Sequence, residues 1–329
     1  MSIKDTVLAI IAEGVTDNEE IARLVQQRCP GAATTAASVS SIKSNARRSG
    51  ELTEAMPVSG GSPIVHVDDL PEADEGETEE EVTLKLTKRF DTMDRMAGAV
   101  IRGILPALII SGPAGLGKSF PMRRMLKTAS DGGQDVDIVS GSISAPGLYE
   151  ALWNMRNGGV LMLDDCDDIF KDLETLNILK AALDSGDTRT ISWRKQSSWL
   201  EALGIDNSFD FEGRVIFISN IDFEQKIEQG SAMSPHFQAL IDRSLYLSIG
   251  IRTVLDYTTR IKMIALDEKM LEKNGLTPEE AEEIVAHVIE NRARFYHLSL
   301  RLVHQVGVCF MADRENWKDD VEVTKMRTL

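Results

Sequence analysis

Cysteine is scarce in this 329-residue chain. Cys29, Cys166 and Cys309 lie far apart, and no Cys-x-x-Cys pair occurs. The spacing argues against a zinc site and the odd, sparse count against a disulfide scaffold, so all three read as ordinary apolar residues. Long apolar runs are also missing: nothing reaches the roughly 18 residues needed to cross a bilayer. Met1-Ser2-Ile3-Lys4-Asp5 leads into alternating polar and apolar residues rather than a signal-peptide core, and a cytoplasmic protein is the expectation. Positive charge is in short supply, with 36 Lys and Arg against 52 Asp and Glu and a formal net charge of −16. That balance counts against nonspecific coating of nucleic acid, although a local basic patch remains compatible with it. Apolar residues are not scarce. At 43% of the chain they suffice for packed cores, and the length suggests two or three domains.

Residues 1–50 read as a small helical, helix-turn-helix-like domain. One helix spans about residues 3–13 and ends at Gly14. A second, capped by Asp17, carries Ile21, Leu24 and Val25 on one face and breaks at Pro30-Gly31. A third starts at Thr34 or Thr35, runs to about Arg48 and stops at Gly50. It carries Lys43, Arg47 and Arg48 near Ser40, Ser41, Ser44 and Asn45, residue types that touch phosphates and base edges. With six Lys/Arg and five Asp/Glu the unit is near neutral, and a docking domain with a solvated basic end accounts for it equally well. Residues 51–83 read as an acidic flexible linker. Pro57, Gly60-Gly61, Pro63 and Pro71 break structure, and residues 68–81 hold nine carboxylates and no base.

From residue 84 the pattern changes. A long helix is expected to about Arg102, then a buried strand over 107–110. Further strands are expected at 137–140, 160–163, 190–193, 215–218 and 245–248, with helical patterns between most of them. That alternation predicts a parallel α/β sheet over residues 84–250. Residues 251–329 lack strand patterns. A helix is expected over 252–272, and Thr277-Pro278-Glu279-Glu280 is a capping box opening another to about Arg294. A last helix begins near Ser299.

Between the first strand and its helix stands Gly112-Pro113-Ala114-Gly115-Leu116-Gly117-Lys118-Ser119, which satisfies GxxxxGK[ST] at every required position. Backbone N–H groups of such a loop, and of the helix that opens at Phe120, surround a polyphosphate. Glycines permit the torsions and leave room for the phosphates. Lys118 would reach the β- and γ-phosphates and Ser119 would ligate Mg²⁺. The residue types therefore predict binding of ATP with Mg²⁺.

Further on, Val160-Leu161-Met162-Leu163-Asp164-Asp165 describes a buried strand with two acids at its C-terminal tip, where ligands bind in open α/β sheets. Asp164 would hold Mg²⁺ and Asp165 would polarise the attacking water. Cys166-Asp167-Asp168 continues the acidic run, and Asp167 and Asp168 are expected at the subunit surface.

With these motifs in place, residues from about 84 to 315 resemble an AAA+ ATPase: a five-stranded parallel P-loop sheet flanked by helices, then a helical lid. The resemblance implies roles for further residues. Phe217-Ile218-Ser219-Asn220 resembles the sensor-1 strand, with Asn220 placing the attacking water. His236-Phe237-Gln238-Ala239-Leu240-Ile241-Asp242-Arg243 resembles the segment carrying the arginine finger, with Arg243 acting on the neighbouring subunit's site. Arg214 and Arg252 are less well placed. Ser299-Leu300-Arg301 opens a lid helix in which Arg301 resembles the sensor-2 arginine, with Arg294 as its competitor. Residues 176–193 resemble the segment that family members use to touch substrates in a ring's channel. There Trp193, Arg194, Lys195 and Trp199 suit nucleic acid or a hairpin that merely packs.

One departure is that the second acid, usually Glu, is Asp165, as in helicase loaders and replication initiators of the superfamily. The arrangement of small helical unit, acidic linker and AAA+ module is also similar to ATPases encoded by tailed bacteriophages, which would place it in a host cytoplasm. The resemblance implies a homo-oligomer, a hexamer by family habit, hydrolysing ATP to remodel DNA or a protein on DNA. Alternatives are an ATP-gated, loader-like switch and a MoxR-like chaperone acting on protein alone. DNA would be met through the N-terminal domain or the channel loops. No membrane partner is expected.

Overall fold

The computed structural model describes residues 69–328 apart from 185, 187 and 196, together with residues 6, 7, 10, 18–29, 35 and 39. Contacts divide the chain into two units, Met1–Gly61 and Ser62–Leu329. In the first, helix α1 (Asn18–Arg28) buries Ile21 and Val25 one turn apart, as the sequence pattern predicts. They join Val7, Ile10, Ala22 and Val39 in a small apolar cluster. The basic residues Lys43, Arg47 and Arg48, and the expected cap Asp17, lie outside the described residues.

The second unit opens with α2 (Glu79–Ile101), which starts earlier than expected. Thr78 accepts from the Glu81 N–H at 3.3 Å while Glu81 accepts from the Thr78 N–H at 2.9 Å. This capping box satisfies two of the helix's otherwise unpaired donors. Glu79, Glu80 and Glu81 are thus the first helical turn, where the macrodipole favours carboxylates, and not the end of a linker reaching residue 83. The segment before them is also held down: Val254 N–H donates to Pro71 O and Leu255 N–H to Glu72 O, each at 2.9 Å. Thr78→Ala should destabilise this unit by about 1 kcal/mol, read as an earlier midpoint in urea with unchanged slope.

A five-stranded parallel sheet follows, built from β1 (Ala107–Ser111), β2 (Val136–Ser140), β3 (Val160–Asp164), β6 (Arg214–Ser219) and β7 (Leu245–Ser248). Its order is β2-β3-β6-β1-β7. The intervening helices are α3 (Ser119–Asp131), α4 (Ala145–Met155), α5 (Leu173–Ala182), α6 (Ser198–Ala202), α7 (Phe223–Glu228) and α8 (Ser234–Arg243). The inner strands β1, β3 and β6 read as near-continuous apolar runs because both their faces are covered, whereas the edge strands β2 and β7 are only partly buried. Leu108, Ile110, Met162, Ile216 and Ile218 face one core, shared with α2, α3 and the C-terminal helices. Ile109, Leu161, Leu163, Val215 and Phe217 face the other, shared with α4, α5 and α8.

The expected strand near 190 exists but does not enter this sheet. β4 (Thr190–Ser192) pairs antiparallel with β5 (Ser208–Asp210). Trp193 packs into the second core at 6% exposure, 5.8 Å from the Tyr149 ring. It is therefore a packing residue and not a stacking platform, and Lys195 is paired with Glu174 at 2.9 Å.

The last residues form the helical lid. α9 (Val254–Lys262) ends in a π turn at Met263–Asp267, so the expected helix to 272 is broken there. α10 (Pro278–Glu290), α11 (Leu300–Ala312) and α12 (Trp317–Lys325) complete it. The lid shares the core beneath α2 instead of owning a separate one. Among the described residues no helix is long and apolar enough to cross a membrane.

Candidate functional site

The phosphate loop leaves β1 at its C-terminal end. Ser111 lies opposite Ser219 in β6, and Asp164 opposite Ile218. Register alone therefore brings the loop, the acidic tip of β3 and Asn220 to one edge of the sheet. Gly115 and Gly117 have φ of +74° and +92°, conformations that cost an L-residue about 1 kcal/mol or more. A Cβ on Gly115 would also lie 2.7 Å from the Ser299 Cβ.

Lys118 is 5% exposed. Its ammonium donates to Gly112 O at 2.5 Å, Pro113 O at 2.6 Å and Asn220 Oδ1 at 3.1 Å. No carboxylate is among those acceptors. Burial lowers its pKa to about 8, opposed by the charges of Asp167, Asp165 and Asp164. A buried cation held only by neutral oxygens, inside a glycine loop at a helix N-terminus, fits a polyphosphate.

Ser119 Oγ donates to Asp164 Oδ1 at 2.7 Å. These are two hard oxygen donors of the kind Mg²⁺ takes when a nucleotide's phosphates supply further ligands. A partner unforeseen from sequence occupies the other Asp164 oxygen: Arg123 donates to Oδ2 from Nη2 at 2.7 Å and Nε at 3.2 Å, and to Ser140 Oγ at 2.6 Å. Its signal was spacing, since Arg123 stands four residues after Ser119 on one helical face.

Asp165 takes φ +62°, one of two non-glycine residues in that region among those described. Asp tolerates it better than most residues, because its short side chain bonds locally. Its N–H donates to Ile218 O at 3.2 Å, and its Oδ1 accepts from the Asn220 Nδ2. Asn220 thus bridges the Lys118 ammonium and the Asp165 carboxylate. Asp167, expected at the surface, is 7% exposed and holds this bridge in place. It accepts from Ser219 Oγ at 2.6 Å and from Asn220 N–H at 3.1 Å, and burial raises its pKa. Asp168 does lie at the surface, paired with Lys171 at 2.6 Å.

The lid reaches the loop directly. Leu300 N–H donates to Gly115 O at 2.8 Å, and Arg260 Nε donates to Leu116 O at 3.3 Å. The Arg260 guanidinium lies over the Phe90 ring, 3.4 Å from its centroid. Arg301 follows Leu300, is exposed, and has no hydrogen-bond or ion-pair partner among the described residues. Its competitor Arg294 is engaged by Glu322 at 2.5 Å. Phe120, just past Ser119, is 73% exposed.

Arg243 stands elsewhere. It closes α8 just before β7, whose Leu245 lies opposite Leu108 and whose Ser248 lies opposite Ser111. The five steps from Arg243 to Ser248 span roughly 16 Å of extended chain, so Arg243 is at the strand edge away from its own phosphate loop. The other candidates are used structurally: Arg252 pairs with Asp222 and Glu224, and Arg214 donates to Ile101 O.

The sheet order, the phosphate loop after β1, the acids after β3, the polar tip of β6 and the helical lid define an AAA+ module. No protein-family model matches the chain. It belongs to the family of the 36.7 kDa protein of the nrdC-mobD intergenic region of Enterobacteria phage T4, with 37% identity over 244 residues, 74% of this chain and 75% of the T4 protein. Among solved structures it is similar to NtrX from Brucella abortus in complex with ATP, at 15% identity and a TM-score of 0.44, covering 84% of this chain and 57% of that one. It is similar also to AMPPCP-bound DnaA from Aquifex aeolicus, at 14% identity and a TM-score of 0.44, covering 79% and 71%. For domain III of the Thermotoga maritima replication initiation protein DnaA the values are 13%, 0.43, 72% and 91%. The chain thus spans less than two thirds of the NtrX structure it matches.

Proposed function

We propose that this protein binds ATP with Mg²⁺ and hydrolyses it as a homo-oligomer, using the cycle to remodel DNA or a protein on DNA in the host cytoplasm. The observation that carries the chemistry is the continuous chain from Lys118 through Asn220 to Asp165. Lys118 is poised to exchange its neutral oxygens for β- and γ-phosphate oxygens. The loop N–H groups from Gly112 to Phe120 surround the phosphates, with Pro113, Ala114 and Leu116 as spacers, and Arg301 closes from the lid. Ser119 and Asp164 hold the metal, which supplies charge neutralisation on the phosphates. Asp165 accepts a proton from water and Asn220 fixes that water's place. Arg243, remote from its own loop, serves a second copy.

A specific observation supports a slower, switch-like variant of this reading. Both Asp164 oxygens are engaged, one by Ser119 and one by Arg123, and Asp165 carries a shorter side chain than Glu. The N-terminal unit, residues 1–61, would then select the DNA or protein partner.

The test is steady-state ATP hydrolysis against protein concentration, with and without single- and double-stranded DNA, with Lys118→Ala as blank. Activity that climbs steeply with concentration and is stimulated by DNA is the expected result. Activity flat in concentration and indifferent to DNA would replace the motor with the switch, and no activity above the blank would remove hydrolysis altogether.

A further inference from the structure

Where the lid meets the phosphate loop stands a charge that no step of the proposed cycle uses. Arg260, on α9, is 5% exposed, and among the described residues no carboxylate lies within 4.0 Å of it. Asp94 and Glu268 act on it only from farther away, and burial lowers its pKa to about 10, so it stays charged at neutral pH. A lone cation in an apolar core is unfavourable, and a residue needed only to fill the space between α9 and α2 would be apolar. Two contacts account for the charge instead. The guanidinium lies over the Phe90 ring, 3.4 Å from its centroid, and Nε donates to Leu116 O at 3.3 Å.

A trans peptide is planar, and its C=O and N–H point in opposite directions. The Leu116 carbonyl and the Gly117 N–H belong to one such plane, so a donor that fixes the first also aims the second. The plane before it is fixed in the same way: Leu300 N–H donates to Gly115 O at 2.8 Å, which turns the Leu116 N–H away from the lid. A Cβ on Gly117 would lie 3.4 Å from both Arg260 Nη2 and Leu300 Cδ1. The lid therefore packs against that side of the loop and leaves the opposite side to a ligand. Neither the Leu116 nor the Gly117 N–H has a protein acceptor among the described residues. Two consecutive main-chain donors turned from the lid form the kind of concavity that takes an anionic oxygen.

We infer that Arg260 is a positioning residue of the phosphate loop: its Nε holds the Leu116 carbonyl toward the lid, which aims the Gly117 N–H at a phosphate oxygen, and Phe90 fixes the guanidinium in place. The inference rests on the reading of the loop as a nucleotide site. Arg260 stands on the lid side of the loop, so it acts through the peptide and not by touching the phosphate.

The test is equilibrium binding of inorganic pyrophosphate and of ADP, by titration calorimetry well below each protein's melting temperature. The full chain is compared with Arg260→Met, Arg260→Lys and Phe90→Leu, with Lys118→Ala as blank. Arg260→Met fills a similar volume without a donor and should weaken both ligands by the same factor, about tenfold. Arg260→Lys, which can still donate to the carbonyl, should recover part of that loss. Phe90→Leu keeps the charge and removes only the ring that places it, and should weaken both ligands about threefold. Variants that melt earlier but bind pyrophosphate as the unaltered protein does would make Arg260 a packing residue. A loss confined to ADP would place its effect on the nucleoside and overturn the inference as well. Should Arg260→Met fail to fold, Phe90→Leu and Arg260→Lys decide between the same outcomes. If the unaltered protein binds neither ligand better than Lys118→Ala, the nucleotide reading itself falls.

Discussion

Asp165→Asn should bind ATP as the unaltered protein does and turn it over about 10²- to 10⁴-fold more slowly, the range that loss of a positioned base produces. The substitution is selective for a structural reason. Asp165 sits at φ +62°, which Asn adopts nearly as readily. The amide keeps the volume and the strand-end geometry and removes only the ability to take a proton. Asp165→Ala would confound the two effects by adding backbone strain. Single-turnover hydrolysis at saturating ATP, beside equilibrium binding, is the measurement. Unchanged turnover would move the base elsewhere, and Asp167 would be a poor replacement, since both its oxygens are committed to Ser219 and Asn220.

Arg243→Ala should cost about 10³-fold in hydrolysis at concentrations where the protein assembles, as trans-acting arginines do. Little should change in binding by dilute, separate copies. Mixing decides between the two geometries. Arg243→Ala retains an intact phosphate loop, whereas Lys118→Ala retains an intact arginine. If the residue works on a neighbour, the two inactive proteins together recover part of the rate. If they stay inactive when mixed, while each still assembles, Arg243 serves only its own helix end, where it already caps the Ala239 carbonyl at 3.0 Å.

Much of this architecture is legible in the sequence, for identifiable reasons. A strand covered on both faces must be apolar throughout, so β1, β3 and β6 announce themselves. The phosphate loop is legible because its chemistry demands fixed residues at fixed spacing. What fails is everything that depends on a partner distant in the chain. Thr190–Ser192 has the composition of a strand, but nothing local says that it pairs with Ser208–Asp210 outside the sheet. Asp167 reads as one more acid in a solvated run, and only its meeting with Ser219 and Asn220 makes burial tolerable. Arg123 could have been noticed by its helical phase with Ser119, yet its carboxylate lies in another strand. Residue 78 differs in kind, because there the density of carboxylates hides a capping box that is present in the letters.

The two short clasps between lid and loop, Leu300 to the Gly115 carbonyl and Arg260 to that of Leu116, make the loop the fulcrum of a lever. α11 starts at one clasp and runs for 13 residues, a rod about 20 Å long. A tilt of about 10° at the fulcrum therefore sweeps its far end through roughly 3 to 4 Å. A displacement too small to matter at the phosphates becomes, at that distance, as large as the rise of two residues along the helix. If the loop holds a nucleotide as proposed, a change there that tilts the lid would reach the outer end of α11 enlarged.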